Sequence, residues 1–310
     1  MNRREFLTTA ASAGAAAIAT TRILGAQAPT PQNGEATPKK HTFKLRYAPH
    51  MGMFANHAKD DADQIAFFAD QGFTAFEDNG FRGRPKEQQE KIAKALEKYG
   101  VAMGVFVAAD NAWGAPTLTT GDAGARDKFL ANIKESVEVA KRCRAKWMTV
   151  VPGTAADNVP VGIQTANVIE TLKRAAAIFE PHGLVMVNEP LNWRDHPGQF
   201  LRYSDQAYAL MKAVASPACK ILFDMYHQQV TEGNLIPNID RCWDEIGYFQ
   251  IGDNPGRCEP GTGEVNYRNV FKHIQQKGYA GILGMEHGNS KNGREGELAV
   301  IEAYVEADRY

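Results

Sequence analysis

Cysteine is scarce in this chain. The four present, Cys143, Cys219, Cys242 and Cys258, show no CxxC spacing, so neither a zinc ribbon nor a disulfide scaffold is indicated. Charge of one sign is missing too: 35 Lys and Arg face 36 Asp and Glu, a formal net charge of −1. That balance argues against an acidic tail and against a protein that coats nucleic acid. There is no long apolar run. The most hydrophobic N-terminal stretch, up to Ile18, is short, rich in Ala and Thr, and followed by Arg22, which argues against a membrane anchor. No cysteine follows it closely, which excludes lipid anchoring there. A GxGxxG turn after the first strand candidate is absent, and with it the signature of a dinucleotide-binding open sheet. What remains is 310 residues, 44% hydrophobic, ample for a large core without staples. That length suits two average domains or one α/β barrel.

The first residues read as an address. Arg3 and Arg4, followed by Glu5-Phe6-Leu7 and an Ala-rich run, resemble a twin-arginine export signal. Ala26-Gln27-Ala28 supplies a small-x-small cleavage pattern. The alternative is an Ala-rich first helix of the folded body. Cleavage after Ala28 would leave 282 residues and, with three arginines and one glutamate removed, a net charge of −3. Residues 29–40, with Pro29, Pro31 and Pro38 among polar residues, read as a flexible linker. The expected organisation is therefore a signal peptide over 1–28, a linker over 29–40 and a catalytic domain over 41–310. It implies the twin-arginine machinery as a partner and a periplasmic or secreted location.

From residue 43 short apolar runs alternate with helical patterns, as in parallel βα units. Strands are expected at 45–49, 74–77, 101–108, 147–151, 184–189, 220–224, 248–251 and 282–286. Helices are expected at 61–71, 85–99, 126–142, 164–180, 199–214, 236–245, 267–277 and 295–308. Eight strands alternating with eight helices predict a single (β/α)8 TIM barrel.

In such a barrel the chemistry sits at the C-terminal ends of the strands. Strands five to eight end on Glu189, Asp224, Gln250 and Glu286, separated by 35, 26 and 36 residues, each about one βα unit. Three carboxylates converging on one mouth repel unless a cation neutralises them. An all-oxygen set points to a divalent metal, Mg²⁺ or Mn²⁺ before Zn²⁺. Each residue has a blander alternative: an acidic strand end often caps the following helix, and Gln250 could bond to a neighbouring loop.

Several runs also resemble the hydroxypyruvate isomerase family of the xylose isomerase-like barrels. They are Asn188-Glu189-Pro190-Leu191-Asn192, Asp195-His196-Pro197-Gly198, Phe223-Asp224-Met225-Tyr226-His227, Phe249-Gln250-Ile251-Gly252-Asp253, 254–264 and Gly284-Met285-Glu286-His287. The likeness covers roughly 43–305 and is densest after 184. It implies that Glu189, Asp224, Gln250 and Glu286 hold the metal, and that Glu189 and Glu286 are also the acid/base pair. It further implies that His227 and Arg257 bind substrate oxygens. His50, Glu77 and Trp113, at the ends of strands one to three, have no assigned counterpart. Arg257 has a local alternative, pairing with Glu259 or Glu264. Asp195 could shape a loop over the site or cap helix five, and His287, next to a ligand on a strand, should turn away.

Two carboxylates beside a metal suit the transfer of a carbonyl between adjacent carbons. One takes a proton, the other delivers it to the neighbouring carbon, and the enediolate between is stabilised by the cation. The expected substrate is a small sugar or hydroxy-keto acid, such as hydroxypyruvate or tartronate semialdehyde. Rivals are a sugar epimerase or lyase on the same metal site, a three-metal endonuclease, which would need more histidine ligands and a basic surface, and an exported sugar-binding protein without catalysis.

Overall fold

In the computed structural model, residues 41–110 and 114–310 are described. The expected signal, the linker and Trp113 lie outside these residues. The first half of the body comprises β1 (Arg46–Ala48), α1 (Asp61–Asp70), β2 (Ala75–Phe76), α2 (Lys86–Tyr99), β3 (Ala102–Met103), α3 (Ala123–Cys143), β4 (Trp147–Val150) and α4 (Val161–Phe179). The second comprises β5 (Val185–Asn188), α5 (Ser204–Val214), β6 (Cys219–Asp224), α6 (Met225–Thr231), α7 (Leu235–Cys242), β7 (Ile246–Gln250), α8 (Tyr267–Gln276), β8 (Ile282–Gly284) and α9 (Gly293–Ala307). Local chemistry sets several boundaries. Asp60 and Asp122 accept backbone N–H bonds as N-caps of α1 and α3, and Gly100 ends α2 at φ +65°.

The strands are all parallel and close on themselves. Six pair in the order β1-β8-β7-β6-β5-β4, and β2 pairs with β3. Two single bridges join the sets, His50 with Glu77 and Val107 with Thr149. At the first, Glu77 N–H donates to Pro49 O at 2.9 Å; at the second, Thr149 N–H donates to Phe106 O at 2.8 Å. The result is an eight-stranded barrel.

Alternation along each strand divides the core in two. One set, Ala48, Ala75, Val187, Leu222, Tyr248 and Ile282 from six of the strands and Val105 from just past β3, fills the lumen. Their neighbours, such as Phe76, Met186, Phe223, Phe249 and Leu283, face outward and pack under the helices. Two residues past a lumen residue the chain again points inward. That rule carries Val187 to Glu189, Leu222 to Asp224, Tyr248 to Gln250 and Ala75 to Glu77.

Three expectations need correction. Strands two and three shrink to two residues each, because their pairing is interrupted on both flanks. Helix five begins at Ser204 rather than near Gln199, so Asp195 caps no helix. Strand six is followed by two helices, giving nine among the described residues, because Asp224 itself starts α6.

The C-terminus is tied to the first strand. Tyr47, 1% exposed, donates its hydroxyl to Asp308 Oδ1 at 2.8 Å, while Lys44 N–H donates to Oδ2 at 2.7 Å. Replacing Asp308 with Ala strands a buried hydroxyl and an amide, and should lower stability by about 1–3 kcal/mol in urea unfolding. Tyr47→Phe should lose less.

Candidate functional site

Glu189, Asp224, His227 and Glu286 each present a ligand atom within 4.8 Å of the others. Glu189 and Glu286 extend just past β5 and β8, on the same end of the barrel as Asp224 at the end of β6. Gln250, at the end of β7, is registered directly beside Asp224 and is fully buried. Next to them a cleft of about 400 Å³ is lined by His50, Glu77, Asn79, Arg257 and Glu286 among others. A cavity of about 460 Å³ at the opposite end, among α2, α3 and the start of β3, is larger but holds none of these residues.

The two oxygens of Asp224 have different partners. Oδ1 accepts from Tyr226 N–H at 2.7 Å and His227 N–H at 3.4 Å, capping α6. Oδ2 faces Arg257 at 3.2 Å and His227 at 3.6 Å. The cap set out above as one reading of an acidic strand end holds for Oδ1, while Oδ2 faces the cluster. The cap also places His227 in the first turn of α6.

His227 is buried, and burial pulls its pKa down to about 4. Its Nδ1 accepts from Asn192 Nδ2 at 2.7 Å and lies 3.3 Å from the Asn192 N–H. Asn192 Oδ1 is occupied by the N–H groups of Arg194 and Asp195, which assigns the amide nitrogen to His227. With Nδ1 an acceptor, the neutral ring carries its proton on Nε2. Nε2 lies 3.3 Å from Arg257 Nη2, 3.5 Å from Glu189 Oε1 and 3.6 Å from Asp224 Oδ2.

Arg257 comes from the loop after β7. Its Nη2 donates to Glu286 Oε2 at 2.6 Å and to Asp224 Oδ2 at 3.2 Å, and its guanidinium lies over the Tyr226 ring. The local pairing is corrected: Glu259 accepts from Ser290, and Glu264 from Asn254 and Gln229. A fully buried Asp253 organises this loop, accepting from the N–H groups of Asn254, Gly261, Gly263 and Val265. That scaffold holds Arg257 at φ +49°, a left-handed conformation unusual for a residue with a side chain. Asp195 accepts from Tyr226 and Asn192, so it braces the residues around His227. His287 turns away, to Tyr304.

Several contributors were not assigned from sequence. Asn79 donates to Glu286 Oε1 at 2.6 Å. Glu77, 1% exposed, accepts from Gln250 Nε2 at 2.8 Å and from Tyr248 hydroxyl at 3.0 Å. A signal for Glu77 existed: it is an acidic strand end two residues past a lumen alanine, the same pattern as strand six.

A family model for the xylose isomerase-like TIM barrel matches residues 65–304. The chain belongs to this family. It is 33% identical to a hydroxypyruvate isomerase of Escherichia coli K12 over 168 residues, 53% of this chain and 64% of that one. It is 29% identical to a 2-oxo-tetronate isomerase of Cupriavidus necator over 262 residues, 84% of this chain and 98% of that one. The match to the first spans less than two thirds of that relative. Among solved structures, an AP endonuclease, family 2, from Brucella melitensis superposes with TM-score 0.74 at 25% identity, covering 84% of this chain and 99% of that one. A D-psicose 3-epimerase from Clostridium cellulolyticum H10 superposes with TM-score 0.70 at 15% identity, covering 86% and 99%, and shares the fold.

A divalent cation fits the donors of this xylose isomerase-like barrel. Four carboxyl groups, Glu77, Glu189, Asp224 and Glu286, cluster with one guanidinium among the described residues, and buried Gln250 Oε1 has no hydrogen-bond partner. Burial and then the charge of Glu286 push Glu189 and Glu77 well above the ordinary carboxylate range. Burial raises Glu286 from 4.5 to about 7, with Arg257 pulling down and Asp224 pushing up. Between those two values the folded chain binds more protons than the unfolded one. The stability contributed by this group is complete below pH 4.5 and is lost as pH rises through 7. In chelator, the melting temperature should therefore fall between pH 5 and 7.5, by about 2–4 °C for each kcal/mol lost. In Glu286→Gln the fall should be smaller, as read by calorimetry.

Proposed function

We propose that this protein is a metal-dependent isomerase of a small 2-keto or hydroxy acid, moving a carbonyl between adjacent carbons through an enediolate. The observation that carries this reading is the convergence of Glu189, from β5, and Glu286, from β8, on the same few ångströms as Asp224 and His227. Burial makes both glutamates stronger bases than exposed carboxylates, which suits proton abstraction beside a carbonyl near neutral pH. Glu189, Asp224, Gln250 and Glu286 would hold the cation, Mg²⁺ or Mn²⁺ for an all-oxygen set. When bound, it polarises the carbonyl and hydroxyl oxygens of the substrate.

The residues around it supply the rest. One glutamate, ionised, takes the proton from the hydroxyl-bearing carbon; the other, protonated, gives one to the former carbonyl carbon, and the hydroxyl proton passes to the former carbonyl oxygen, so the substrate's hydrogens are conserved. Asn79 holds Glu286 by its Oε1. His227 offers an Nε2–H donor to a substrate oxygen. Arg257 supplies a fixed positive charge suited to a carboxylate. Correspondence along nearly the whole 2-oxo-tetronate isomerase, beside partial identity to a hydroxypyruvate isomerase, supports isomerisation of a keto acid over epimerisation of a sugar. Two facing carboxylates, Glu189 buried and Glu286 partly so, likewise support catalysis over binding alone.

Glu189→Gln and Glu286→Gln should each lower the exchange of the substrate α-hydrogen with solvent by about 10²–10⁴-fold. Chelator should abolish exchange and added Mn²⁺ or Mg²⁺ restore it. Exchange surviving in both variants would remove the two-glutamate mechanism.

We also propose that Arg3 and Arg4 direct export of the folded chain to the periplasm or beyond. A reporter fused to residues 1–40 should reach the periplasm and be retained in the cytoplasm when both arginines become lysines.

A further inference from the structure

We propose that Glu77 and Tyr248 form a positioning pair for Gln250, turning its side-chain amide so that the oxygen, not the nitrogen, is presented to the cation. The inference rests on the metal reading above and concerns how one ligand of that site is made competent. A glutamine amide has two ends of the same shape and opposite chemistry: only the oxygen binds a hard cation, while the nitrogen is a donor. Nothing intrinsic to Gln250 selects between them.

Glu77 makes the selection. Its Oε1 accepts from Gln250 Nε2 at 2.8 Å, and its Oε2 accepts from Tyr248 hydroxyl at 3.0 Å. Each oxygen accepts one bond, and Glu77 is not among the residues whose ligand atoms lie within 4.8 Å of one another, so Glu77 acts through Gln250 rather than as a ligand. With Nε2 anchored, Gln250 Oε1 is left buried and without a hydrogen-bond partner. Gln250 stands beside Asp224 in the β6–β7 register, so the two side chains project from the same row. The orientation holds whether or not Glu77 carries a proton, since its carbonyl oxygen can accept from Nε2 while a hydroxyl donates to Tyr248.

The barrel makes room for this group at the expense of lumen packing. A Cβ on Gly284 would lie 1.8 Å from Glu77 Oε2, and one on Gly104 would lie 2.4 Å from Tyr248 hydroxyl. An acidic side chain 1% exposed among other carboxyl groups is a costly way to fill a lumen. An aliphatic residue would fill it without that cost. Partners of this kind, which orient the ligands, typically set metal affinity.

The test is Mn²⁺ binding to the full-length protein by isothermal titration calorimetry, with circular dichroism and thermal melting as controls for folding. Glu77→Leu should weaken Mn²⁺ binding by about 10–100-fold. Glu77→Gln should stay close to wild type, because its carbonyl still accepts from Gln250 while its amide donates to Tyr248. If Glu77→Leu fails to fold, Glu77→Asp, which withdraws the acceptor by one methylene, should show the same loss. A folded Glu77→Leu or Glu77→Asp with wild-type affinity, while Glu189→Gln loses it, would overturn the positioning role alone. A Glu77→Gln variant as weak as Glu77→Leu would overturn the amide-orientation argument. Wild type that binds no Mn²⁺ would instead overturn the metal reading beneath it.

Discussion

The structure turns on a concentration of acidic groups at one end of the barrel. Glu77, Glu189, Asp224 and Glu286 lie near one another, three of them buried, and among the described residues a single guanidinium, that of Arg257, sits with them. Charges so placed repel strongly in a low-dielectric setting. Each group is consequently given a specific partner. One oxygen of Asp224 caps a helix, Glu286 is held between Asn79 and Arg257, and Glu77 is bonded by Gln250 and Tyr248. Glu189, with His227 Nε2 3.5 Å away, is the least restrained of the four.

Two supports outside this cluster keep its donors in place. Asp253 gathers four backbone amides and shapes the loop that carries Arg257 across the site. Glu259 ties the same loop to Ser290, beyond β8. On the other side, Asp195, Asn192 and Tyr226 brace His227 and fix which of its nitrogens bears the proton. The two supports meet where the Arg257 guanidinium lies over the Tyr226 ring. Donors held in this way need little reorganisation when charge develops on a substrate.

Strands five to eight were legible because each alternates inward and outward residues and then ends on a polar side chain. One residue per βα unit was enough to place Glu189, Asp224, Gln250 and Glu286 at the same end. The first half was harder to read because β2 and β3 are two residues each and their apolar runs do not separate lumen from outer face. Glu77 therefore looked like an isolated acidic residue, although its partners Tyr248 and Gln250 lie 171 and 173 positions away. Arg257 shows the converse. Nearby Glu259 and Glu264 offered plausible local partners, but the turn built on Asp253 aims the guanidinium at residues 29 and 33 positions away. The extra helix after β6 escaped notice because its cap is a site residue, and the pattern alone does not show an aspartate serving two ends at once.

The glycines at 284 and 104 carry an implication for how such sequences diverge. Each exists because a long polar side chain from another strand occupies the space its own Cβ would take. Gly284 and Glu77, and Gly104 and Tyr248, are thus volume trades across the lumen, and neither member can change freely. A relative with a larger residue at the place of Gly284 would need a shorter one at the place of Glu77. Substitutions at these positions should be inherited as pairs, a trace that joins strands far apart in the chain and separates barrels with this amide-holding arrangement from those without it.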